Sequence, residues 1–290
     1  MNGDERTAAR ATADARGGRV LLAIVPHPDD EAYSMGGTLA LAAARGDEVH
    51  LLCVTRGQFG RADRDAASPE AVAAVRSAEL AASCRVLGVR PPIFLDYRDG
   101  ALDRVDLAEA AGAIVRVMRF LRPDVVLSLG ADGVYGHPDH IALHKLVVPA
   151  FRSAGGGTRF PEETFGPAYT PQRLLWTAYP RGLFRPQWEL MLRSEHASAM
   201  RMVNPDSLGV DPTEFHVAVD IAAVAQTKLD AIRCHASQLT NGDPRSLFPP
   251  GVVPLLLGVE YFQHGAGVPP PPGATDLFAG LASTPQPEAT

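Results

Sequence analysis

Val20-Leu21-Leu22-Ala23-Ile24-Val25-Pro26-His27-Pro28-Asp29-Asp30-Glu31 runs from six consecutive apolar residues into three acids and an imidazole. A short unbroken apolar run bounded by turn formers reads as a buried strand, the kind found inside a covered parallel sheet. His27, Asp29 and Asp30 then fall at its C-terminal end, where open α/β sheets bind their ligands. Three acids and a histidine do not pack a core. A second cluster, Tyr135-Gly136-His137-Pro138-Asp139-His140, repeats the His-Pro-Asp theme just after a further strand-sized run, Asp124 to Leu129.

Outward from these two points the chain alternates. Glu48 to Thr55, Pro92 to Tyr97 and Asp124 to Leu129 read as further strands. Thr38 to Arg45, with Gly36-Gly37 as the loop that feeds it, reads as a helix closed by Gly46. Ser68-Pro69-Glu70 opens a helix with an N-cap, a proline at its first position and an early acid; it runs to Leu87 and stops at Gly88. Asp106 with Glu109 starts another that ends before Pro123, and His140 to Phe151 makes the next. Such alternation predicts an α/β fold: a mostly parallel sheet with helices on both faces.

Beyond Phe151 the pattern weakens into a smaller, irregular C-terminal part. Gly155 to Pro171 reads as a loop, Arg173 to Ala178 and His216 to Ile221 as strands, Glu189 to Met202 and Ala222 to Leu239 as helices. Pro269 to Pro272 reads as a stiff linker. The expected organisation is a flexible tail over 1–18, one domain over 19–265, and a Pro-rich linker and tail over 266–290.

With 290 residues, 46% hydrophobic and 21% charged, the chain has the composition of a globular protein with a sizeable core. A net charge of -6 argues against nucleic acid and anionic membrane surfaces, which select for clustered Lys and Arg. No window approaches the ~18 apolar residues of a membrane span, and 1–18 has no signal-peptide core. Cys53, Cys84 and Cys234 are odd in number and sit in apolar patterns, which fits reduced core thiols and a cytoplasmic location. A small-molecule partner is expected, and a homo-oligomer is compatible with these features.

His27 and one neighbouring Asp offer a nitrogen and an oxygen donor on a loop, and those donors suit zinc. A histidine from the second cluster, His137, His140 or His144, would complete three protein ligands with a position left for water, the arrangement of a catalytic rather than a structural site. Asp29 and Asp30 are adjacent, so one binds the ion and the other is free to take a proton from bound water. The bland alternative is that Asp29-Asp30-Glu31 merely caps a helix. The downstream cluster favours catalysis. His137 and Tyr135 are placed to face a developing oxyanion, whereas His50, His196, His216, His235 and His264 receive no role.

The two clusters, with Gly36-Gly37, Arg76 and Glu79-Leu80, the Tyr97-Arg98-Asp99-Gly100 turn and Lys228 to Gln238, resemble the PIG-L/LmbE-like de-N-acetylases over most of the chain. The resemblance implies a Rossmann-like hydrolase dependent on zinc, or on ferrous iron, that removes an N-acyl group, acetyl in the simplest case, from a small glucosamine-containing conjugate. His27, Asp30 and His140 match the metal ligands and Asp29 the general base. His137 matches the group facing the tetrahedral intermediate, Tyr135 an assisting residue, and Asp139 a carboxylate that orients a histidine. Ser34, Arg76 and Asp99 resemble substrate contacts, and a mycothiol-pathway deacetylase or amidase is the nearest analogy. Gln58 stands where many relatives carry an acid. Two other functions compete: a metal-dependent phosphoesterase, which would want acids for a second ion, and a non-catalytic Rossmann-like nucleotide-binding module, disfavoured because Met35-Gly36-Gly37-Thr38 lacks the G-x-G-x-x-G spacing.

Overall fold

Strand β1, Val20–Val25, pairs in parallel with β2 (Glu48–Thr55) on one side and β4 (Val125–Leu129) on the other. Outside these lie β3 (Ile93–Tyr97) against β2 and β5 (Arg173–Ala178) against β4, both parallel. The computed structural model that gives this arrangement describes residues 18–60, 68–191, 204–239 and 253–282. Nearly all of the expected N-terminal tail, part of the loop over 56–67 and most of the helix over 189–202 lie outside the described residues.

The sheet order is β3-β2-β1-β4-β5-β7-β6, with β7 (Val259–Gly267) antiparallel to both β5 and β6 (Val217–Asp220). The fold is therefore α/β with a mostly parallel, seven-stranded sheet. Leu21, Ala23 and Val25 face a layer built on α1 (Asp30–Arg45), α2 (Pro69–Leu87) and α5 (Ala225–Cys234). Leu22 and Ile24 face the opposite layer, built on α3 (Leu107–Leu121) and α4 (Pro138–Ser153). Burial on both faces is why β1 reads as unbroken apolar sequence. Chain progression reverses at β1, with β2 to one side and β4 to the other, so both His-Pro-Asp clusters leave the sheet at its topological switch point.

Three expectations need correction. Gly36-Gly37 is not a loop: α1 begins at Asp30 and runs through both glycines. A Cβ on Gly37 would lie 2.6 Å from Ile221, and the Gly37 and Thr38 amides donate to the Glu260 carboxylate at 3.0 and 2.7 Å. The glycines admit a close neighbour from far along the chain and do not mark a turn.

Second, the 155–171 loop contains a short helix, Glu162–Phe165, and is pinned by buried Arg119, which donates to the carbonyls of Ala154, Gly156, Phe160 and Gly166. Third, the boundary at 265 falls inside β7. Beyond it Leu277 and Phe278 are buried, and the Arg173 guanidinium donates to the carbonyls of Val268, Pro269, Leu277 and Ala279. The proline run is thus part of a packed strap: Arg173 sits on an inner strand and the strap's carbonyls are its acceptors. Among the described residues, no helix is long and apolar enough to cross a membrane.

Candidate active site

The chain leaves β1 at Pro26, whose carbonyl accepts from the Thr55 amide and hydroxyl at 3.0 and 2.9 Å. His27 follows, buried. Its amide and its Nδ1 both lie against Asp30 Oδ2, at 3.1 and 3.2 Å. On the other side of the ring, Nε2 meets Asp99 Oδ1 at 3.0 Å and Asp139 Oδ2 at 3.1 Å. Asp139 also accepts from the Gly100 and Leu102 amides, at 2.7 and 3.1 Å, so the turn after β3 is tied to the head of α4. One imidazole is thereby gripped by acids from the start of α1, the turn after β3 and the first turn of α4.

His140 comes from the first turn of α4 and is 1% exposed. Asp30 Oδ1 lies 3.3 Å from its Nε2, outside hydrogen-bond geometry, and both ring nitrogens lack a hydrogen-bond partner. An imidazole sealed from water with neither nitrogen satisfied is costly unless something else uses a lone pair. Burial pulls its pKa down to about 4, which keeps it in the neutral, ligating form. Burial also opposes ionisation of Asp30, but His140 and His27 beside it hold its carboxyl well below the usual range. His27 differs: burial works against its charged form, but hydrogen bonds to Asp139, Asp30 and Asp99 raise its pKa well above the ordinary value, so a divalent ion would bind in place of that proton. Two converging nitrogens and an oxygen fit a divalent ion such as zinc.

Among the described residues, two groups of side chains bring ligand atoms within 4.8 Å of one another: His27, His137 and His140, and His27, Asp99 and Asp139. The second surrounds the His27 nitrogen that faces away from Asp30, and carboxylates placed there orient a ligand histidine rather than bind an ion themselves. The first puts His137 beside the other imidazoles, with ring centroids 4.9 Å from His27 and 4.8 Å from His140. Asp30 touches both His27 and His140, so its carboxylate lies between the two imidazoles. The two groups share one imidazole. A pair of separate ions, as a phosphoesterase would want, has no second centre of its own in this arrangement.

Asp29 stands at the N-cap of α1 yet makes no side-chain capping bond. Its backbone sits at φ 111°, ψ -30°, a region that costs a non-glycine residue about 1–3 kcal/mol. The carboxylate points to Arg76, with Nη2 to Oδ2 at 3.2 Å. Burial raises the Asp29 pKa to about 6 against the opposing charge of Arg76, with Asp30 adding to the rise. A carboxyl poised there is suited to a general base near neutral pH. Arg76, buried in α2, also donates to the carbonyls of Pro28 and Gly57. It makes no ion pair with Glu79, whose carboxylate instead takes the Ser237 amide and hydroxyl.

His137 caps α4: its Nδ1 accepts from the Asp139 amide at 3.2 Å. That bond leaves the proton of a neutral ring on Nε2, available for donation. Burial, and then the charge of His27, lower its pKa, so the ring is a neutral donor. Tyr135 packs edge-on to His137 and His140, and burial raises its pKa well above the ordinary tyrosine value. It follows Val134, held at φ 67° and ψ -61°, and Asp132 anchors this knot by accepting from the Val134 and Gly209 amides at 3.0 Å each. Ser34, one turn into α1, is buried and hydrogen-bonded to Tyr179. Asp99 Oδ2 accepts from the Phe59 amide at 2.9 Å. Gln58 lines a cavity of about 180 Å³ with Arg56, Asp96 and Tyr97, beside the cluster at the ends of β2 and β3.

Sequence reasoning passed over Glu31, Ser83, His235 and Tyr179. His235, at the end of α5, is 0% exposed and reaches Glu31 with Nε2 at 2.8 Å. The one signal for it was its place within the Lys228 to Gln238 stretch. His144, by contrast, packs on Trp176 and meets the Leu129 carbonyl at 3.3 Å.

The model of the family described as PIG-L, GlcNAc-PI de-N-acetylase, matches residues 22–151, which begin in β1, end in α4 and hold both clusters. A 1D-myo-inositol 2-acetamido-2-deoxy-alpha-D-glucopyranoside deacetylase of Thermobispora bispora is 32% identical over 307 residues, spanning 91% of this chain and 99% of its own. The chain belongs to the PIG-L family. It is accordingly an enzyme that cleaves an amide by hydrolysis, a de-N-acetylase. A relative of the same description from Rhodococcus erythropolis is 33% identical over 91% of this chain and 98% of its own. Among solved PIG-L-like folds, N,N'-diacetylchitobiose deacetylase from Pyrococcus horikoshii superposes with a TM-score of 0.61 at 22% identity, over 91% of this chain and 93% of that one. The nucleotide-module alternative also fits the site poorly, since three acids crowd the N-terminus of α1 where a phosphate would have to sit.

Proposed function

We propose that this PIG-L enzyme removes the N-acetyl group from a small glucosamine conjugate, with an α-linked N-acetylglucosaminyl inositol as the first candidate. The deacetylase relatives that cover nearly the whole chain support the substrate class. The observation that carries the reading is the placement of Asp29, a strained carboxylate with its pKa raised to about 6, next in sequence to Asp30, which touches both His27 and His140. A divalent ion held by those three, zinc or ferrous iron, would supply Lewis acidity and a water that ionises near neutral pH.

The residues divide the remaining work. Asp29 accepts the proton of the attacking water, and Arg76 keeps its carboxylate aimed from below. Asp99 and Asp139 hold the Nε2 side of His27 so that Nδ1 faces Asp30. His137 offers Nε2–H to the amide oxygen as charge gathers on it, and Tyr135 closes over the same place. As the C–N bond breaks, the proton gathered by Asp29 passes to the leaving nitrogen, and acetate and a primary amine are released. Arg76 and Asp99 border the space in which the sugar hydroxyls would lie. The cavity beside Gln58 is where the conjugate's other half would be accommodated, and it sets substrate choice within this reading.

A primary-amine release screen tests this across N-acetylglucosaminides, with and without a chelator, and with p-nitrophenyl phosphate as the phosphoesterase arm. Chelator-sensitive amine release from inositol or other small glucosaminides is expected. Release of phosphate with no amine would overturn the proposal.

A further inference from the structure

Behind Asp29, on the side away from the substrate space, lies a closed polar cluster that nothing in the reaction described above uses. Glu31 is 0% exposed, although its neighbours in sequence line the site. Its Oε2 accepts from the amide of Asp29 at 3.0 Å. Its Oε1 accepts from the Ser83 hydroxyl of α2 at 2.6 Å and meets Nε2 of His235, from the end of α5, at 2.8 Å. His235 is itself 0% exposed, and its Nδ1 has no partner, so the ring is held there through Nε2 alone. Helix packing does not call for such a set, because an apolar trio of the same volume would fill the space without burying a carboxylate.

The amide that Glu31 holds belongs to a residue of the site with a strained backbone. At φ 111° Asp29 has rotated its N–H inward, and an inward amide with no acceptor would be expelled or would relax to ordinary φ. Relaxation would swing the carboxylate away from Arg76 and from the His27 and Asp30 donors. We propose that Glu31, clamped by His235 and Ser83, is a positioning residue that holds Asp29 in its strained conformation and so aims the general base. The proposal deepens the deacetylase reading and rests on it for the role of Asp29. It ties the end of α5, 204 residues downstream of Glu31, to catalysis.

The test uses Glu31→Gln, His235→Ala and His235→Gln in the metal-loaded, full-length enzyme, with metal content and melting temperature measured alongside. A glutamine at 31 keeps the shape and an acceptor oxygen but loses the charge. A glutamine at 235 can return one N–H to Glu31. Loss of kcat by about 10- to 100-fold at nearly unchanged KM and full metal content is expected for Glu31→Gln and His235→Ala, the scale of a base displaced by about 1 Å. Partial recovery is expected in His235→Gln. A merely structural role would lower the melting temperature and leave kcat per metal-loaded molecule at its original value, and that result overturns the proposal.

A crystal structure of Glu31→Gln or His235→Ala gives a readout independent of substrate. Asp29 is expected to leave positive φ or to lose its contact with Arg76, and an Asp29 that keeps both in each variant also overturns the proposal. Failure of the unsubstituted enzyme to release any amine would count against the deacetylase reading, with the Asp29 backbone still deciding this one.

Discussion

Replacing Arg76 by methionine keeps the bulk of the side chain in α2 but removes the cation 3.2 Å from Asp29 Oδ2. An opposite charge at that range lowers a carboxyl pKa by about one to three pH units. Asp29 already sits at about 6 with Arg76 opposing the rise, so the variant should titrate higher still. The base works only when ionised, and activity therefore falls as pH drops through its pKa. At pH 7 a group with a pKa of about 6 is roughly 90% ionised; raised by one to three units it is about 50% to 1% ionised. The resulting loss in kcat/KM at pH 7 is about 2- to 100-fold, and it is recovered near pH 9–10. A bound cation lowers both midpoints and preserves their order.

The assay is the pH profile of kcat/KM for amine release in Arg76→Met, Arg76→Lys and the unsubstituted enzyme. Lysine keeps the charge but cannot bridge Asp29, Pro28 and Gly57 together, so its acid limb should stay near the original while its stability falls. In Arg76→Met, leaving the Asp29 carboxylate without its partner should also cost about 3 kcal/mol in denaturant unfolding at pH 7, the low end for a broken buried pair because Asp29 is 21% exposed. An acid limb that does not move in Arg76→Met would refute the electrostatic role given to this arginine.

Three further outcomes are expected. Asp29→Ala should retain its metal, as measured by elemental analysis, and lose turnover by about 10²-fold or more; full turnover would remove Asp29 as the base. His140→Ala should lose most of its metal at dialysis equilibrium, and unchanged zinc content would transfer the ligand role to His137. Arg119→Met leaves four loop carbonyls without their donor and should cost about 3 kcal/mol by urea unfolding while kcat is preserved, because the 155–171 segment lies away from the site.

Much of this molecule is legible in its sequence, and the unread parts share a cause. The doubly buried β1 announces itself as unbroken apolar residues, and Ser68 and Asp106 mark their helices because caps act within one turn. His27, Asp30 and His140 stand out because acids and imidazoles at strand ends have no packing role to explain them. What stayed hidden depends on partners far along the chain. Gly37 looks like a breaker until Ile221 lies against it. Arg76 looks like the partner of Glu79, three positions along one helix face, until the fold brings Asp29 nearer. His235 looks idle because Glu31, the group it meets, is 204 residues away. The strain at Asp29 leaves no trace in composition or spacing, since only the surrounding contacts impose it.

Anomalous diffraction at the zinc edge, from crystals of the zinc-loaded protein, addresses the centre of this account. One peak is expected, about 2.0–2.2 Å from a nitrogen of His27, a nitrogen of His140 and an oxygen of Asp30, with the Asp29 carboxylate nearby but unbound. A peak ligated by Asp29, or by His137 in place of Asp30, would contradict it.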